Sequence, residues 1–446
     1  MERVSFGTKI GVILATAGSA VGLGNVWRFP YVTGKDGGAA FIVVYLVAIL
    51  MLGIPGMVAE FVVGRHGASN AARAYQRAGG RAWGLVGYLG VFTSLIILGF
   101  YSVVAGWCLQ YLAVSLIGRI HGDAAFAASY FREFSSDPIE PLLWTVVFIL
   151  ITHFVVVRGV RRGIERVSNI LMPVLFILLL VIVVASCTLP NAGKGIEYLF
   201  KPDFSQVSRG VFLDALGQAF FSLSLGTACL CTYSSYFSRQ TNLLRSAGQI
   251  AAIDTLVAIL AGLMIFPAAF AVGINPDSGP SLIFITLPTV FQQAFAPVPG
   301  YFVSVLFYAL LVLAALTSTI SMHEIGTSMW FEELHISRGK GALIETTAAV
   351  AIGILCSLSC GAADITIAGK SMLDFCDFLT SNVLLPVGSF LTCILVGWVA
   401  PRKMVRDELT NWGTLSTGIY KIWLFLVRFI APVSILVVFL HQLNVI

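Results

Sequence analysis

The sequence predicts an all-α integral membrane protein whose helices cross the bilayer many times. Of its 446 residues, 58% are hydrophobic and 11% are charged, whereas soluble globular proteins carry about 25% charged residues. The mean hydropathy is +0.91, and long apolar stretches recur along the whole chain. The net charge of +5 does not indicate a nucleic-acid partner, because basic residues in such proteins mark cytoplasmic loops.

Eleven segments are long and apolar enough to span a bilayer, which takes roughly 17–25 residues. They lie near residues 9–31, 38–64, 84–117, 141–157, 166–187, 210–237, 247–273, 301–331, 342–359, 373–399 and 418–440. A further apolar stretch at 279–294 is too short to span and is flanked by prolines. We expect it to form a re-entrant or surface helix.

Lysine and arginine predict the orientation of these spans. Arginines cluster in the connections that follow spans 2 and 4, whereas the connection after span 3 is net acidic. The positive-inside rule therefore places the N-terminus in the cytoplasm and, after eleven spans, the C-terminus outside. The first nine residues lead into span 1 without a cleavage site, so we expect a multi-pass protein of the cell (inner or plasma) membrane with no cleaved signal.

Two of the spans are interrupted at equivalent places. Span 1 contains the stretch GSAVGLGNVWRFP at 18–30, and span 6 contains SLSLGTA at 222–228. Spans 1 and 6 begin two halves of five spans each, near 9–187 and 210–399, and the segment at 418–440 is an extra span of one transporter domain covering 1–446. Because five is odd, the halves have opposite orientations, and paired breaks in inverted repeats indicate a midplane binding site.

The breaks supply the chemistry for a cation and an anion together. Unwound backbone frees carbonyl groups that suit Na⁺, and N–H groups at the start of a half-helix that suit a carboxylate. Ser19, Asn25, Ser222 and Ser224 add oxygen ligands without adding charge. The alternative is that the glycines only permit close helix packing.

Six ordered stretches resemble the neurotransmitter:sodium symporter family, particularly its bacterial amino-acid transporters. They are AGSAVGLGNVWRFPYVTGKDGGAAF, GIPGMVAEFVVGRHG, GIERVSNILMPVLF, GQAFFSLSLG, FITLPTVF and LAALTSTIS. The resemblance runs from about residue 2 to residue 400 and through all ten core spans. It implies a 5+5 inverted-repeat core in which helices 1 and 6 are discontinuous.

The resemblance implies two sodium sites. The first would use Ala20, Asn25 and Ser222, a group on span 7, and the substrate carboxylate; whether Asp254 is that group stays open. The second would use the carbonyls of Gly18, Val21 and Ala314 with the hydroxyls of Thr317 and Ser318.

The same resemblance implies a substrate site beside the sodium ions. The carboxylate would meet the N–H groups of Leu23 and Gly24 and the hydroxyl of Tyr101, and the ammonium would meet carbonyls of Ala20, Phe221, Ser222 and Ser224. The side-chain pocket would be lined by Ile97, Tyr101, Phe221, Thr227, Ser318 and Met322, with Ser19 and Ser224 nearby.

Two positions indicate the substrate class. Gly22 stands where the monoamine members of the family carry an aspartate, which favours a substrate with its own carboxylate. No charged group faces the pocket, so a neutral amino acid is expected. Thr227 replaces the phenylalanine of the leucine-selective relatives and predicts a large hydrophobic or aromatic substrate.

Charged residues within the spans need individual explanations. Asp254 lies among the counterparts of the family's chloride ligands, Tyr45, Gln218 and Ser222, so its carboxylate predicts chloride-independent transport. Arg28 and Asp377 resemble the outer gate; Arg3 and Glu332, with Tyr236, resemble the inner gate. Glu60 is expected to accept hydrogen bonds from broken backbone.

Three further features of the spans keep alternative interpretations open. The spacing of Gly163 and Pro173 matches one that family members use to unwind span 5, although an ordinary helix start and a proline kink explain it too. His323 and Glu324 are expected to be packing groups, although histidine can also carry protons near neutral pH.

These residues predict a sodium-coupled importer of neutral amino acids that works by alternating access. The chain carries no sequence signature of an enzyme and no soluble domain, and its partners are the substrate and the bilayer. A proton-coupled carrier of the same fold and a non-transporting amino-acid sensor are the alternatives, and the oligomeric state is open.

Overall fold

The computed structural model describes residues 6–119, 124–273, 282–415, 417–443 and 445. Within them the chain is almost entirely helical, and one two-residue hairpin, Thr366–Ile367 (β1) paired with Lys370–Ser371 (β2), is the sheet structure described. The prediction of an all-α protein is confirmed. Arg3 of the predicted inner gate lies outside the described residues.

The helices follow the predicted spans closely. We number them in chain order as α1 (Lys9–Ala20), α2 (Gly24–Lys35), α3 (Ala39–Gly67), α4 (Ala71–Gly79), α5 (Arg81–Leu116), α6 (Ala124–Ser136), α7 (Glu140–Val157), α8 (Val160–Cys187), α9 (Ala192–Phe200), α10 (Arg209–Ser222), α11 (Cys229–Ser234), α12 (Leu243–Ala271), α13 (Leu282–Ala294), α14 (Pro297–Glu333), α15 (Arg338–Leu358), α16 (Met372–Val399), α17 (Arg402–Leu409) and α18 (Gly418–Gln442).

In the described part of the chain, nine helices are long and apolar enough to cross a membrane, and the bent pair α1 and α2 makes a tenth span. The segment predicted as span 6 is split into α10 and α11, so the count of eleven stays a prediction. The short apolar stretch predicted not to span forms α13, which is shorter than a membrane span.

Helix starts follow local capping chemistry. Thr8, Asn70, Ser208, Asn242, Ser337 and Ser371 each accept a hydrogen bond from the backbone N–H group three residues later. A capping side chain satisfies one of the unpaired N–H groups of a first turn and contributes about 1 kcal/mol. These caps fix where α1, α4, α10, α12, α15 and α16 begin.

The broken spans lie at the centre of the helix assembly. Helix α1 packs against α8, α12 and α14, while α10 and α11 pack against α3. Long helices therefore surround both breaks, and the side chains at the breaks are buried. Asn25 is 0% exposed and Ser222 is 2% exposed, which is the enclosure that unwound backbone at membrane depth requires.

Candidate substrate and ion site

The break of span 1 is short and tightly packed. Helix α1 ends at Ala20, Val21 is extended, α2 begins at Gly24, and the two helix axes differ by 54°. A Cβ atom at Gly22 would lie 2.4 Å from Ser318 Oγ and 3.0 Å from Tyr101 Oη. A side chain at position 22 would therefore require at least the Ser318 hydroxyl to rotate away.

The break of span 6 is built from left-handed backbone. Ser224, Gly226 and Ala228 have φ angles of 53°, 83° and 59°, a region that residues with a side chain rarely adopt. A Cβ atom at Gly226 would lie 2.3 Å from the carbonyl oxygen of Leu385. Such strain occurs at functional sites where the surroundings hold it in place.

Two side chains hold this second break. Glu60 on α3 accepts a hydrogen bond from Gly226 N at 2.7 Å, which confirms its expected role. Thr227 Oγ1 donates to Ser224 O at 2.7 Å and accepts from Cys229 N at 3.1 Å. Its hydroxyl closes the turn and accepts from the first N–H group of α11, a role that the predicted effect on pocket size did not include.

The two breaks contact each other directly. Ser224 Oγ donates to the carbonyl of Ser19 at 3.3 Å, and Asn25 Nδ2 donates to Ser222 Oγ at 3.2 Å. The carbonyls of one break and the hydroxyls of the other therefore surround a single buried region. This arrangement places several uncharged oxygen atoms around one buried region.

Asp254 on α12 is the acidic group of this region, and it is 0% exposed. Its Oδ1 accepts from Asn25 Nδ2 at 2.7 Å, and its Oδ2 accepts from Ser222 Oγ at 2.7 Å and Tyr45 Oη at 3.4 Å. The carboxylate thus joins α2, α3 and α10. The side-chain amide of Gln218, the other predicted neighbour, makes no hydrogen bond with described residues.

Asn25 differs in detail from the prediction. Its Oδ1, expected to face an ion, accepts from Gly22 N at 3.0 Å, while its Nδ2 faces Asp254. Because the carboxylate accepts hydrogen bonds only, it orients the amide with the nitrogen toward itself.

The residues expected at the second sodium site meet across α1 and α14. Thr317 Oγ1 and Ser318 Oγ each lie 3.3 Å from Val21 O, and Thr317 Oγ1 lies 2.9 Å from Ala314 O. A Cβ atom at Gly18 would lie 3.4 Å from Thr317 Cβ. The structure therefore brings together all five of these residues.

The predicted substrate residues outside the breaks and α1 lie on α5, α10 and α14. Tyr101 Oη accepts from Leu23 N at 3.0 Å, so the hydroxyl expected to bind a carboxylate already lies at an N–H group of the break. Ile97 is buried on α5, whereas Phe221 and Met322 are partly buried on α10 and α14.

Arg28 and Asp377, which resemble the outer gate, contact other side chains. The guanidinium carbon of Arg28 lies 4.2 Å from the centre of the Phe221 ring, and Asp377 Oδ1 accepts from Ser381 Oγ at 3.0 Å. In the part of the chain that the structure describes, no nitrogen atom of Arg28 lies within 4 Å of a carboxylate oxygen of Asp377. The Arg28 guanidinium therefore stacks on the face of the Phe221 ring. The positions of the two residues in the sequence do not predict this contact.

Next to the outer gate, three charged groups join α2 and α10. Lys35 Nζ lies 2.9 Å from Asp214 Oδ2 and 4.0 Å from Asp36 Oδ1. Asp36, just beyond α2, is 8% exposed. Burial, together with the negative charge of Asp214, raises the pKa of Asp36 to about 7, although Lys35 acts in the opposite direction.

The inner-gate region contains pairs that the sequence did not predict. Tyr236 Oη donates to Glu324 Oε1 at 2.6 Å, and Glu332 Oε2 accepts from Asn70 N at 2.7 Å. Arg338 on α15 forms a salt bridge with Glu324. Tyr236, in the turn that follows α11, therefore contacts Glu324 on α14, and their separation of 88 residues conceals this proximity in the sequence.

Glu165 holds the start of α1, a second role that the sequence did not indicate. Its carboxylate accepts from Gly7 N at 2.8 Å and from Thr8 N at 3.1 Å. The signal available in the sequence is an acidic residue within a run of arginines, which also fits a solvated surface charge.

His323 and Glu324 have the contacts of packing groups. His323 is buried, and its two ring nitrogens lie 2.9 Å from Thr327 Oγ1 and 2.8 Å from Thr346 Oγ1. Glu324 is paired with Arg338. Helix α8 runs without a gap from the π-helical turn at Val160–Glu165 through Pro173, so span 5 is not unwound between Gly163 and Pro173.

Comparison with known proteins identifies this arrangement. The sequence model of the sodium:neurotransmitter symporter family matches residues 3–127 and 134–446. The chain belongs to this family. The resemblance of its six ordered stretches is thereby confirmed.

Relatives within the symporter family match over their full lengths. An uncharacterized sodium-dependent transporter of Bacillus subtilis (strain 168), YhdH, is 38% identical and is covered to 98%, with 100% of this chain aligned. An uncharacterized sodium-dependent transporter of Haemophilus influenzae is 33% identical, with 99% of this chain and 98% of the relative covered.

A solved symporter structure has the same fold. The crystal structure of MhsT in complex with L-phenylalanine matches with a TM-score of 0.89 and 40% identity, and it covers 99% of this chain and 100% of its own. This chain is therefore a multi-pass, sodium-dependent transporter of the symporter family and not an enzyme.

Proposed function

We propose that this symporter imports a neutral, large hydrophobic or aromatic L-amino acid together with sodium, by alternating access and without chloride. The observation that carries the proposal is the joint packing of Gly22, Tyr101 and Ser318 at the break of span 1. Gly22 supplies no carboxylate, and the hydroxyls of Ser318 and Tyr101 fill the space beside it, so in this proposal the carboxylate beside the sodium ion comes from the substrate.

Recognition of the carboxylate follows from the start of α2. The N–H groups at the beginning of a helix carry partial positive charge and bind anions. Leu23 N lies at this position, and Tyr101 Oη is 3.0 Å from it. A substrate carboxylate between them would accept from both, while the carbonyls of Ala20 and of the span-6 break would accept from its ammonium group.

Two sodium ions travel with the substrate in this proposal. Carbonyl and hydroxyl oxygens are suitable ligands for a hard cation. Val21 O with the hydroxyls of Thr317 and Ser318 provides such a set for one ion. Ala20, Asn25, Ser222 and the substrate carboxylate would provide the other, and rotation of the Asn25 amide would turn its oxygen toward that ion.

Asp254 supports independence from chloride. A fixed carboxylate that accepts hydrogen bonds from Asn25, Ser222 and Tyr45 occupies the place and carries the charge that a bound chloride would have. An additional anion beside it would be repelled, and in a buried region like charges at short range are costly.

The character of the substrate side chain is inferred from the pocket and from a relative. The expected lining residues, which include Ile97, Phe221 and Met322, carry no charge, so a charged side chain would be buried there at high cost. The related MhsT structure contains L-phenylalanine. An aromatic or large aliphatic amino acid suits both observations.

The overall organisation completes the proposal. The segments 9–187 and 210–399 would form two inverted repeats with the N-terminus in the cytoplasm, and their breaks would meet at the middle of the membrane. Arg28 and Asp377 would close above the substrate once it has bound, and the groups around Tyr236 and Glu332 would open below it.

A sodium-dependent thermal-stability screen against the twenty amino acids, followed by uptake into proteoliposomes, tests this function. We expect large hydrophobic or aromatic amino acids to stabilise the protein in sodium and to accumulate under a sodium gradient. Stabilisation by small or charged amino acids alone would contradict the proposed specificity. Uptake that persists when choline replaces sodium at fixed pH would favour the proton-coupled carrier, and binding without accumulation would favour a sensor.

A further inference from the structure

Three arginines line one open groove where α7 ends and α8 begins. This arginine groove is formed by Arg158, Arg162 and Arg166 with Val167 and Ile170, and it has a volume of about 590 Å³. All three arginines are exposed. None of the three is within ion-pair distance of a carboxylate in the described ranges, so no described carboxylate neutralises their positive charge.

The length and composition of α8 indicate that the groove would lie at the depth of lipid headgroups. Helix α8 has 28 residues, which corresponds to about 42 Å at 1.5 Å per residue. The hydrocarbon core of a bilayer is about 30 Å thick. Residues 167–187 contain no charged side chain, so Arg166 marks the boundary where the apolar part of α8 begins.

An exposed apolar stripe continues from the groove along α8. Ile170, Val174 and Ile177 are 56%, 40% and 60% exposed, and their spacing of four and three residues places them on one face of the helix. A molecule that occupies the groove would therefore meet cations at one end and an apolar, lipid-facing surface at the other.

The acidic residue of the same turn points away from the groove. Glu165 is 6% exposed, and its carboxylate is bonded to Gly7 N and Thr8 N at the start of α1. The outer face of the turn Val160–Glu165 is therefore purely basic. Its inner face holds the cytoplasmic half of the broken span.

We propose that the arginine groove binds the phosphodiester headgroup of an anionic phospholipid. Guanidinium groups bind phosphate oxygens in a bidentate manner, and clusters of basic residues at a membrane surface recognise acidic headgroups. Arginines that only set membrane orientation do not need to share a groove or lie above an apolar stripe. The bound lipid would stabilise the turn that carries Glu165 and with it the start of α1.

The test compares lipid binding by three forms of the purified full-length chain. They are the unmodified protein, the variant R158Q/R162Q/R166Q, and the control variant R81Q/R402Q/K403Q, which loses the same charge at exposed positions elsewhere. Each is titrated with phosphatidylglycerol, phosphatidylcholine or inorganic phosphate, and binding is followed by native mass spectrometry and by the melting temperature.

We expect phosphatidylglycerol to bind and stabilise the unmodified protein and the control, whereas phosphatidylcholine and inorganic phosphate have no comparable effect. The groove variant should bind phosphatidylglycerol on the order of a hundredfold more weakly, since three basic headgroup contacts are lost. Equal losses in both variants would show a response to net charge and would overturn the proposal. The proposal would also be overturned if phosphatidylcholine bound as tightly as phosphatidylglycerol, or if inorganic phosphate stabilised the protein to the same extent.

If the triple variant is not monodisperse in size-exclusion chromatography, R162Q alone replaces it. Undiminished phosphatidylglycerol binding by R162Q would then overturn the proposal. The experiment measures lipid binding without substrate, so its outcome is independent of the proposed transport function.

Discussion

Asp254 accepts hydrogen bonds from Asn25, Ser222 and Tyr45. Its negative charge is therefore the property of this residue on which chloride independence is expected to depend. Replacement by serine keeps a small polar group and removes the negative charge. We expect the Asp254→Ser variant to lose most uptake in chloride-free medium and to regain part of it when chloride is supplied, because the anion would restore the missing charge. Uptake into proteoliposomes in gluconate or chloride measures this effect.

Glu345→Gln is the matched control for this substitution. Glu345 is also a buried carboxylate, but it lies on α15 and accepts from Trp330 Nε1 at 2.8 Å. Its variant should remain insensitive to chloride. A chloride requirement in the unmodified protein, or no chloride response in Asp254→Ser, would contradict the assignment.

Asp36 is predicted to make stability depend on pH. Its pKa is raised to about 7 in the folded protein by burial and by the charge of Asp214, whereas an unfolded aspartate titrates at about 3.9. Between these values the folded state binds more protons than the unfolded state, so the free energy of unfolding falls as pH rises. The stabilising contribution is complete below the unfolded value and is lost as pH passes about 7.

Melting temperatures measured from pH 4 to pH 8 test this dependence. We expect a decline of a few degrees in the unmodified protein and a smaller decline in Asp36→Asn, which cannot ionise. Asp364→Asn, at an exposed position between α15 and α16, should retain the full decline. Identical profiles for the unmodified protein and Asp36→Asn would refute the role of this carboxyl group.

At the residue scale, the sequence predicts which residues lie together better than it predicts which contacts their side chains make. It placed Gly18, Val21, Ala314, Thr317 and Ser318 together, as the structure does. It did not predict that Arg28 would lie over the Phe221 ring instead of beside Asp377. Side-chain rotamers determine such contacts, and rotamers depend on backbone conformation and neighbours that the sequence does not specify.

At the scale of elements, the break of span 6 depends on a carboxylate from another helix. Glu60 Oε1 accepts from Gly226 N at 2.7 Å, and removing a buried acceptor costs about 1–3 kcal/mol. We expect Glu60→Leu to lower the melting temperature and abolish substrate-induced stabilisation. Glu60→Gln, which retains an acceptor oxygen, should keep part of both.

The buried carboxylate on α15 again provides the comparison. Glu345→Gln and Glu345→Leu should lower the melting temperature without changing the sodium or amino-acid concentration needed for stabilisation. If the Glu60 variants behaved in the same way, Glu60 would be a general packing group and not a support of the binding break.

Element boundaries were predicted well where composition changes sharply. The predicted span at 141–157 corresponds to Glu140–Val157. The span predicted to begin at 166 begins at Val160, because the arginine-rich residues before it form a π-helical turn and remain helical. Hydropathy does not detect such a turn, since its outer face is charged.

The whole molecule is expected to couple its two cargoes thermodynamically. If an amino-acid carboxylate completes the first sodium site, each ligand must raise the affinity for the other, and this coupling is reciprocal. A ligand at 100 times its Kd stabilises the folded state by about 2.7 kcal/mol. We therefore expect sodium and phenylalanine together to raise the melting temperature by more than the sum of their separate effects.

Two threonines on α14 make this prediction specific. Thr317→Ala removes a hydroxyl that lies 3.3 Å from Val21 O, so it should raise the sodium concentration needed for stabilisation by about tenfold, equivalent to about 1.4 kcal/mol. Thr319→Ala removes a hydroxyl that bonds Thr152 at 2.9 Å and should leave sodium dependence unchanged. Additive ligand effects, or equal behaviour of the two variants, would contradict the coupling.

The overall fold was largely predictable because its determinants are distributed along the chain. Long apolar spans, the two breaks and six ordered stretches all pointed to one architecture, and the family match and the related solved structure agree with it. The hydrogen bonds of Glu165 with Gly7 N and Thr8 N, just before α1, were not predictable, since they join residues more than 150 positions apart through tertiary packing.

If Thr227 lines the substrate pocket as proposed, its structural role limits how substrate preference can evolve in this protein. The side chain expected to set pocket size also bonds Ser224 O and Cys229 N. A mutation to a bulky residue there would narrow the pocket and remove both hydrogen bonds in one step. A shift toward smaller substrates would therefore require compensating changes elsewhere in the break, whereas changes at Ile97 or Met322 could alter selectivity gradually and leave the backbone of span 6 intact.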